Sequence, residues 1–406
     1  VSRPRLLFIA PRFLFPLDDS GRIRTVGLLR AMQGGAFDVT LASPAPANSS
    51  EFKAELAGVA DRFISWPAVP AGALRRGMAA LGRLPAAAAA VRSANGRAAV
   101  KKLLGTGPDV VVADFPHSAV LLPRKLKIPS VVVSHGVEAE ILQRQAAEAT
   151  GWRRHARQRD ADKMAAFERR ALRQFDTVVT IAERDAKLLA NRYQIQNLGR
   201  IETGVDLEYY AFQPPRPRAD TVVFWGAMDN RRNTDAIEFL LRDVWPMVAA
   251  SRPAARMRVV GRNPPPALIA EAALLFRSAW RFTGLVEDIR PHLQLGDIAV
   301  MPLRLGSGTR LKAFEALASG LPLVSTSLGV EGLGLEQDEH YLTADRAELF
   351  AQAIVRLLDD SAARQRLAES GRALLEARFS WPVIARQFET ICQRTIAAAG
   401  QTNGKK

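Results

Sequence analysis

The 406-residue chain has one cysteine, Cys392, and five histidines. A lone thiol cannot close an internal disulfide, and neither residue type recurs at metal-ligand spacing, so a disulfide scaffold and a multi-cysteine metal site are excluded. Long apolar runs are missing too: no stretch reaches the roughly 18 residues a spanning helix needs. The apolar segment at residues 6–10 is too short for a secretory signal and reads as a first buried strand. Aromatic residues make up 7% of the chain and are not interleaved with basic ones. No helix-turn-helix or RNA-module signature appears either, so nucleic acid is not an expected partner. Acidic residues are the minority, 41 against 56 basic, for a net charge of +15. That excess favours anionic partners such as phosphorylated small molecules or anionic lipid surfaces, with plain solubility as the bland alternative.

What is present is the composition of a globular protein, 48% hydrophobic and 24% charged, at a length that fits two domains. Short apolar runs alternate with longer amphipathic stretches, the pattern of parallel sheets with crossover helices. Strands are expected at 6–10, 38–42, 62–66, 109–113, 130–134 and 177–181, then at 221–225, 257–261, 281–283, 298–301 and 323–325. The runs Val110-Val111-Val112 and Val131-Val132-Val133 are continuously apolar, as strands covered on both faces must be. Between the two series, Gln213-Pro214-Pro215-Arg216-Pro217-Arg218 sustains neither helix nor central strand. Two doubly wound α/β domains follow, 1–208 and 209–381, with a last helix at 382–400 packing back on the first. Two Arg-rich stretches, 72–102 and 152–173, read as basic helices, either solvated faces or seats on an anionic membrane.

The densest chemistry lies after the strand at 298–301, in Gly306-Ser307-Gly308-Thr309-Arg310-Leu311-Lys312 leading to Glu315. Two glycines turn the backbone with amides outward, Thr309 caps the next helix, and amides and helix dipole together attract an anion. Arg310 and Lys312 add positive charge, and Glu315 is an acceptor suited to paired hydroxyls such as those of a ribose. Gly320-Leu321-Pro322 ends the helix.

This segment resembles the donor-binding region of family 4 retaining glycosyltransferases, of the GT-B fold: two Rossmann-like parallel sheets facing each other across a cleft. The likeness runs over nearly the whole chain. Asp18-Asp19-Ser20-Gly21-Arg22-Ile23-Arg24 is similar to the family's loop after the first strand, and Ser134-His135-Gly136-Val137-Glu138 to its His-containing loop. Phe167-Glu168-Arg169-Arg170-Ala171, Ile201-Glu202-Thr203-Gly204-Val205-Asp206, Phe224-Trp225-Gly226-Ala227-Met228-Asp229 and Val259-Val260-Gly261-Arg262 follow in the family's order. The sequence also resembles a branch often found with bacterial exopolysaccharide or sugar-transfer clusters.

The resemblance implies sugar transfer from a nucleotide-diphosphate sugar to a glycan, lipid-linked or small-molecule hydroxyl, with retained configuration, no metal and no cofactor. It implies a cytoplasmic chain with a seat at the inner membrane face left open. Glu315 would hold the ribose. Amides around Gly306, Ser307, Gly308 and Thr309 would face the sugar and diphosphate, with His135 beside the sugar. Gly21, Gly226, Arg262, Arg310 and Lys312 fall at donor-binding positions. Two departures stand out. Many members carry a glutamate where Ser307 is, and an Arg and Lys where Ala227 and Asn233 are; Arg231 and Arg232 lie between these and are candidate phosphate ligands. A non-catalytic binding protein, or a sugar-nucleotide epimerase of the same fold, remain the alternatives.

Overall fold

The structure, a computed structural model, describes residues 2–17, 19–68, 82–147, 149–217, 220–305 and 311–403. The chain divides into two compact units, Val1–Gly204 with Trp381–Lys406, and Val205–Ser380.

The first unit holds seven parallel strands: β1 Arg5–Ile9, β2 Asp38–Ala45, β3 Arg62–Pro67, β4 Val110–Asp114, β5 Ser130–Ser134, β6 Thr177–Thr180 and β7 Leu198–Arg200. Their order is β3-β2-β1-β4-β5-β6-β7. Strands β4 and β5 are buried along their whole length, which is why their sequences are unbroken valine runs. Apolar clusters lie on both faces of the sheet. The final helix, Trp381–Asn403, belongs to this unit, where Trp381, Ile384, Phe388 and Cys392 join the core of one face. Gly27 and Gly204 leave the space its Trp381 indole fills; a Cβ at either position would overlap the ring. Burial pushes the Cys392 thiol above its ordinary range, so it stays a packed neutral group.

The second unit repeats the plan with β8 Thr221–Trp225, β9 Arg256–Val260, β10 Trp280–Phe282, β11 Ile298–Met301, β12 Leu323–Ser325 and β13 Leu342–Thr343, in the order β10-β9-β8-β11-β12-β13. Strands β7 and β13 were not expected from the sequence; each closes one edge of its sheet with only two or three residues. In both units the order reverses beside the first strand, next to β4 in one and β11 in the other. Ligands of doubly wound sheets bind at the carboxyl ends of the strands flanking that reversal. Among the described residues, no helix is long and apolar enough to cross a membrane.

Candidate functional site

In the second unit the reversal lies between β8 and β11. Strand β8 ends on buried Trp225 and then Gly226, at φ +156°. A Cβ on Gly226 would overlap the Lys312 ammonium, and one on Gly261 would overlap the Gly226 carbonyl oxygen. Only glycine permits this approach of two backbones and a lysine tip. Lys312 sits in the first turn of the helix Leu311–Ala318, and its Nζ donates to Asn233 Oδ1 at 2.9 Å. It also lies 4.9 Å from the centre of the Phe224 ring. Burial lowers its pKa to about 8, with Glu315 pulling it back up. Asn233 is itself held, donating through Nδ2 to the Ala227 carbonyl at 2.7 Å. It belongs to the helix Arg231–Phe239, whose N-terminus Asn230 caps by accepting from Arg232 N.

Glu315 stands three residues after Lys312, on the same face of its helix. Trp225 Nε1 donates to its Oε2 at 2.7 Å, and the Tyr210 hydroxyl hydrogen-bonds it as well. Burial raises its carboxyl above the ordinary range; the hydrogen bond from Trp225, the Lys312 charge and Tyr210 oppose that rise. Beside it, Arg290 stacks over the Tyr209 ring at 4.1 Å and pairs with Asp288 at 2.7 Å. A cavity of about 200 Å³ opens there, lined by Tyr209, Tyr210, Asp288, Arg290, Gln294 and Ser319.

In the first unit a polar group closes the carboxyl ends of β4 and β5. Asp114, ending β4, is buried, and its two oxygens take a hydrogen bond from Thr25 Oγ1 at 2.9 Å and one from His135 Nε2 at 2.6 Å. Arg24 Nη1 lies 3.2 Å from His135 Nδ1. An arginine only donates, so Nδ1 is the acceptor and the ring proton sits on Nε2, toward Asp114. The imidazole also stacks on Phe115 with centroids 4.1 Å apart. Burial lowers the Arg24 pKa to about 10, against the opposing pull of Asp114.

Residues 23–209 match the model of Glycosyltransferase Family 4, and residues 219–360 match that of Glycosyl transferases group 1. The chain belongs to the family 4, group 1 glycosyltransferases. A glycogen synthase of Mycobacterium tuberculosis is 26% identical over 302 residues, 70% of this glycosyltransferase and 69% of the relative. A lipopolysaccharide core biosynthesis glycosyltransferase, LpsE of Rhizobium meliloti, is 36% identical over 27% of this chain and 32% of its own. Sucrose-phosphate synthase from Thermosynechococcus elongatus superposes with a TM-score of 0.67 at 17% identity, covering 97% of this chain and all of its own, 100%. Anabaena HepE in complex with UDP gives a TM-score of 0.64 at 13% identity, covering 96% and 100%. The two parallel sheets are those of the GT-B fold.

Of the expected site residues of the glycosyltransferase, Gly226, Lys312 and Glu315 come together. Arg231 and Arg232 open the adjoining helix, Arg231 exposed and Arg232 partly buried. Arg262 is exposed and pairs with Asp229 at 3.2 Å. Gly306, Ser307, Gly308, Thr309 and Arg310 lie outside the described residues. In the first unit Gly21 and His135 share one neighbour, the Phe115 ring. The Gly21 amide, at the start of the helix Ser20–Ala31, already donates to Asp19 Oδ1 at 2.9 Å. Among the described residues, no group of three or more His, Cys, Asp or Glu is placed to hold a metal ion. Sequence reasoning missed Arg24 and Asp114 as partners of His135, and Tyr210 and Trp225 as partners of Glu315. The one available signal was position, since Asp114 and Trp225 each end a strand beside a reversal.

Behind the His135 loop lies Glu168, fully buried in the helix Gly151–Leu172. Its carboxyl accepts from Glu138 N at 2.9 Å, Ala139 N at 3.4 Å and Tyr193 Oη at 3.0 Å, pinning the start of the helix Glu138–Ala147. Burial raises its pKa from 4.5 to about 7, despite these hydrogen bonds and with some help from the nearby Glu138. The folded chain therefore holds a proton at pH values where the unfolded chain has lost it. The Glu168 contribution to stability is greatest below the unfolded pKa and falls as pH rises to 7, by roughly 3 kcal/mol, while His117, whose pKa burial lowers to about 4, contributes in the opposite direction. Urea denaturation from about pH 5 to about pH 8 should show this fall in the difference between the wild type and Glu168→Gln, from which the His117 contribution cancels.

Proposed function

We propose that this chain moves a sugar from a nucleoside-diphosphate sugar to a hydroxyl of a glycan, lipid-linked or small-molecule acceptor, with retained configuration and without a metal ion. The observation that carries the reading is the Lys312 ammonium, held at the glycine end of β8 one turn before Glu315. A cation fixed at the carboxyl end of β8, with helix N-terminal amides close by, suits a diphosphate. In the reaction the bond from the anomeric carbon to the phosphate oxygen breaks, and the bond to the acceptor oxygen forms on the same face. The acceptor's proton passes to the departing phosphate. Lys312 stabilises the charge gathering on that phosphate, with Arg231, Arg232, Arg262 and Arg310 as further cations and the amides of Gly306, Ser307, Gly308 and Thr309 as donors. Glu315 takes the ribose hydroxyls. His135 and Gly21 are the first unit's candidate donor contacts; a sugar hydroxyl reaching a His135 nitrogen has to replace Arg24 or Asp114 there. A peripheral seat on an anionic membrane would bring a lipid-linked acceptor within reach.

Names among the relatives favour this donor class: one is a GDP-mannose-dependent mannosyltransferase of Corynebacterium glutamicum, and HepE was crystallised with UDP and glucose. A thermal-shift screen of sugar nucleotides in EDTA tests the reading. One donor class should raise the melting temperature, and Glu315→Ala should weaken that donor by about 10–150-fold, the equivalent of a charge-assisted hydrogen bond worth about 1.5–3 kcal/mol. Unchanged affinity in Glu315→Ala removes its ribose role. Binding without turnover favours the non-catalytic alternative, for which Ser307 in place of the usual glutamate is the motive.

A further inference from the structure

The helix Gly151–Leu172 has two different halves. From Met164 onward it packs Met164, Phe167, Ala171 and Leu172 into the core of the first unit. Every residue from 151 to 159 is exposed, so the first half stands out from the body beside the partner helix Glu138–Ala147. A stretch with no buried face draws no stability from core packing, and its composition answers to something else. It carries Arg153, Arg154, Arg157 and Arg159 with no acidic residue before Asp160. At its tip Trp152 is 76% exposed, with the Arg153 guanidinium 5.8 Å from its ring. The chain's other five tryptophans, Trp66, Trp225, Trp245, Trp280 and Trp381, are all buried, at 9% exposure or less. Ile141, on the partner helix, is exposed as well.

We propose that this helical tip is a docking surface for an anionic lipid bilayer, with Trp152 seated at headgroup level and the arginines around it paired with lipid phosphates. An indole is favoured where one side of it is apolar and the other wet, and arginine pairs phosphate bidentately. Four cations with no intervening acid, on a chain of net charge +15, complement a negative leaflet. The surface gives the proposed transferase access to a lipid-linked acceptor but does not depend on that reading, since vesicle binding is measured with no donor present.

The test uses the full chain and vesicles of phosphatidylglycerol with phosphatidylcholine, set against phosphatidylcholine alone. The chain should float with the anionic vesicles and release at high salt. Replacing Arg153, Arg154 and Arg157 by glutamate should cut partitioning at least about 10-fold at low salt. The same charge change at Arg281, Arg346 and Arg366, exposed in the second unit, should cut it far less. Because Trp152 alone among the tryptophans is open to solvent, brominated lipid should quench emission in the wild type and not in Trp152→Phe. Urea denaturation of each variant confirms the fold. Absence of binding to anionic vesicles, equal losses in the two triple variants, or quenching that survives Trp152→Phe each overturns the proposal.

Discussion

Replacing Lys312 by alanine is expected to weaken nucleoside-diphosphate binding by at least about 10–150-fold, the loss of one charge-assisted contact of about 1.5–3 kcal/mol. Without its ligand the position is costly. A lysine whose pKa falls from 10.5 to about 8 releases its proton more readily folded than unfolded. The unfolded chain then binds more protons between those values, so stability rises with pH through that window, and the charged form is the strained one at neutral pH. Lys312→Met should therefore stabilise the second unit, on the order of 1–3 kcal/mol, while it loses the diphosphate. Opposite signs for stability and binding are the mark of a residue kept for its ligand. Affinity should also fall as pH rises through about 8, with proton uptake on binding above it. Because Nζ sits 2.9 Å from Asn233 Oδ1, a lysine at 233 reaches the same place from the neighbouring helix. The double variant Lys312→Ala, Asn233→Lys should recover binding that Lys312→Ala loses, as calorimetry would show. No recovery means the ammonium's position is not what matters.

Asp114→Ala is expected to destabilise the first unit by about 3–5 kcal/mol, the cost of leaving a buried charge without the opposite charge that compensates it. The variant leaves the Arg24 guanidinium buried without its balancing charge, and it strands the Thr25 hydroxyl and the His135 Nε2 proton. Urea denaturation would read the shift in midpoint. Asp114→Asn keeps the shape and an acceptor but not the charge, so it should cost less. A loss under 1 kcal/mol for Asp114→Ala would show that the cluster is not the clamp its geometry implies.

The strands were legible because a strand covered on both faces must be apolar along its length, as β4 and β5 are. Strands β7 and β13 were not, because Leu198-Gly199-Arg200 and Leu342-Thr343 pair mainly by backbone at a sheet edge and carry no apolar period. At the site, Lys312 and Glu315 announced themselves through charges beside a glycine turn at a strand end, and Gly226 through the family resemblance. Their partners did not, because the pairing is made by the fold: Thr25 and Asp114 are 89 residues apart, Trp225 and Glu315 are 90, and Arg24 and His135 are 111. Arg262 shows the reverse case. The family resemblance made it a donor-contact candidate, and the fold also pairs it with Asp229, a pairing no local pattern reveals.

Titration calorimetry of UDP, GDP and ADP in EDTA, on the wild type, Lys312→Ala and Glu315→Ala, is the most direct test. The account predicts that at least one diphosphate binds without a divalent ion, and that each substitution weakens it 10-fold or more, by roughly 1.5 kcal/mol. Binding that neither substitution alters, or no binding by any of the three, would contradict a diphosphate held at the end of β8.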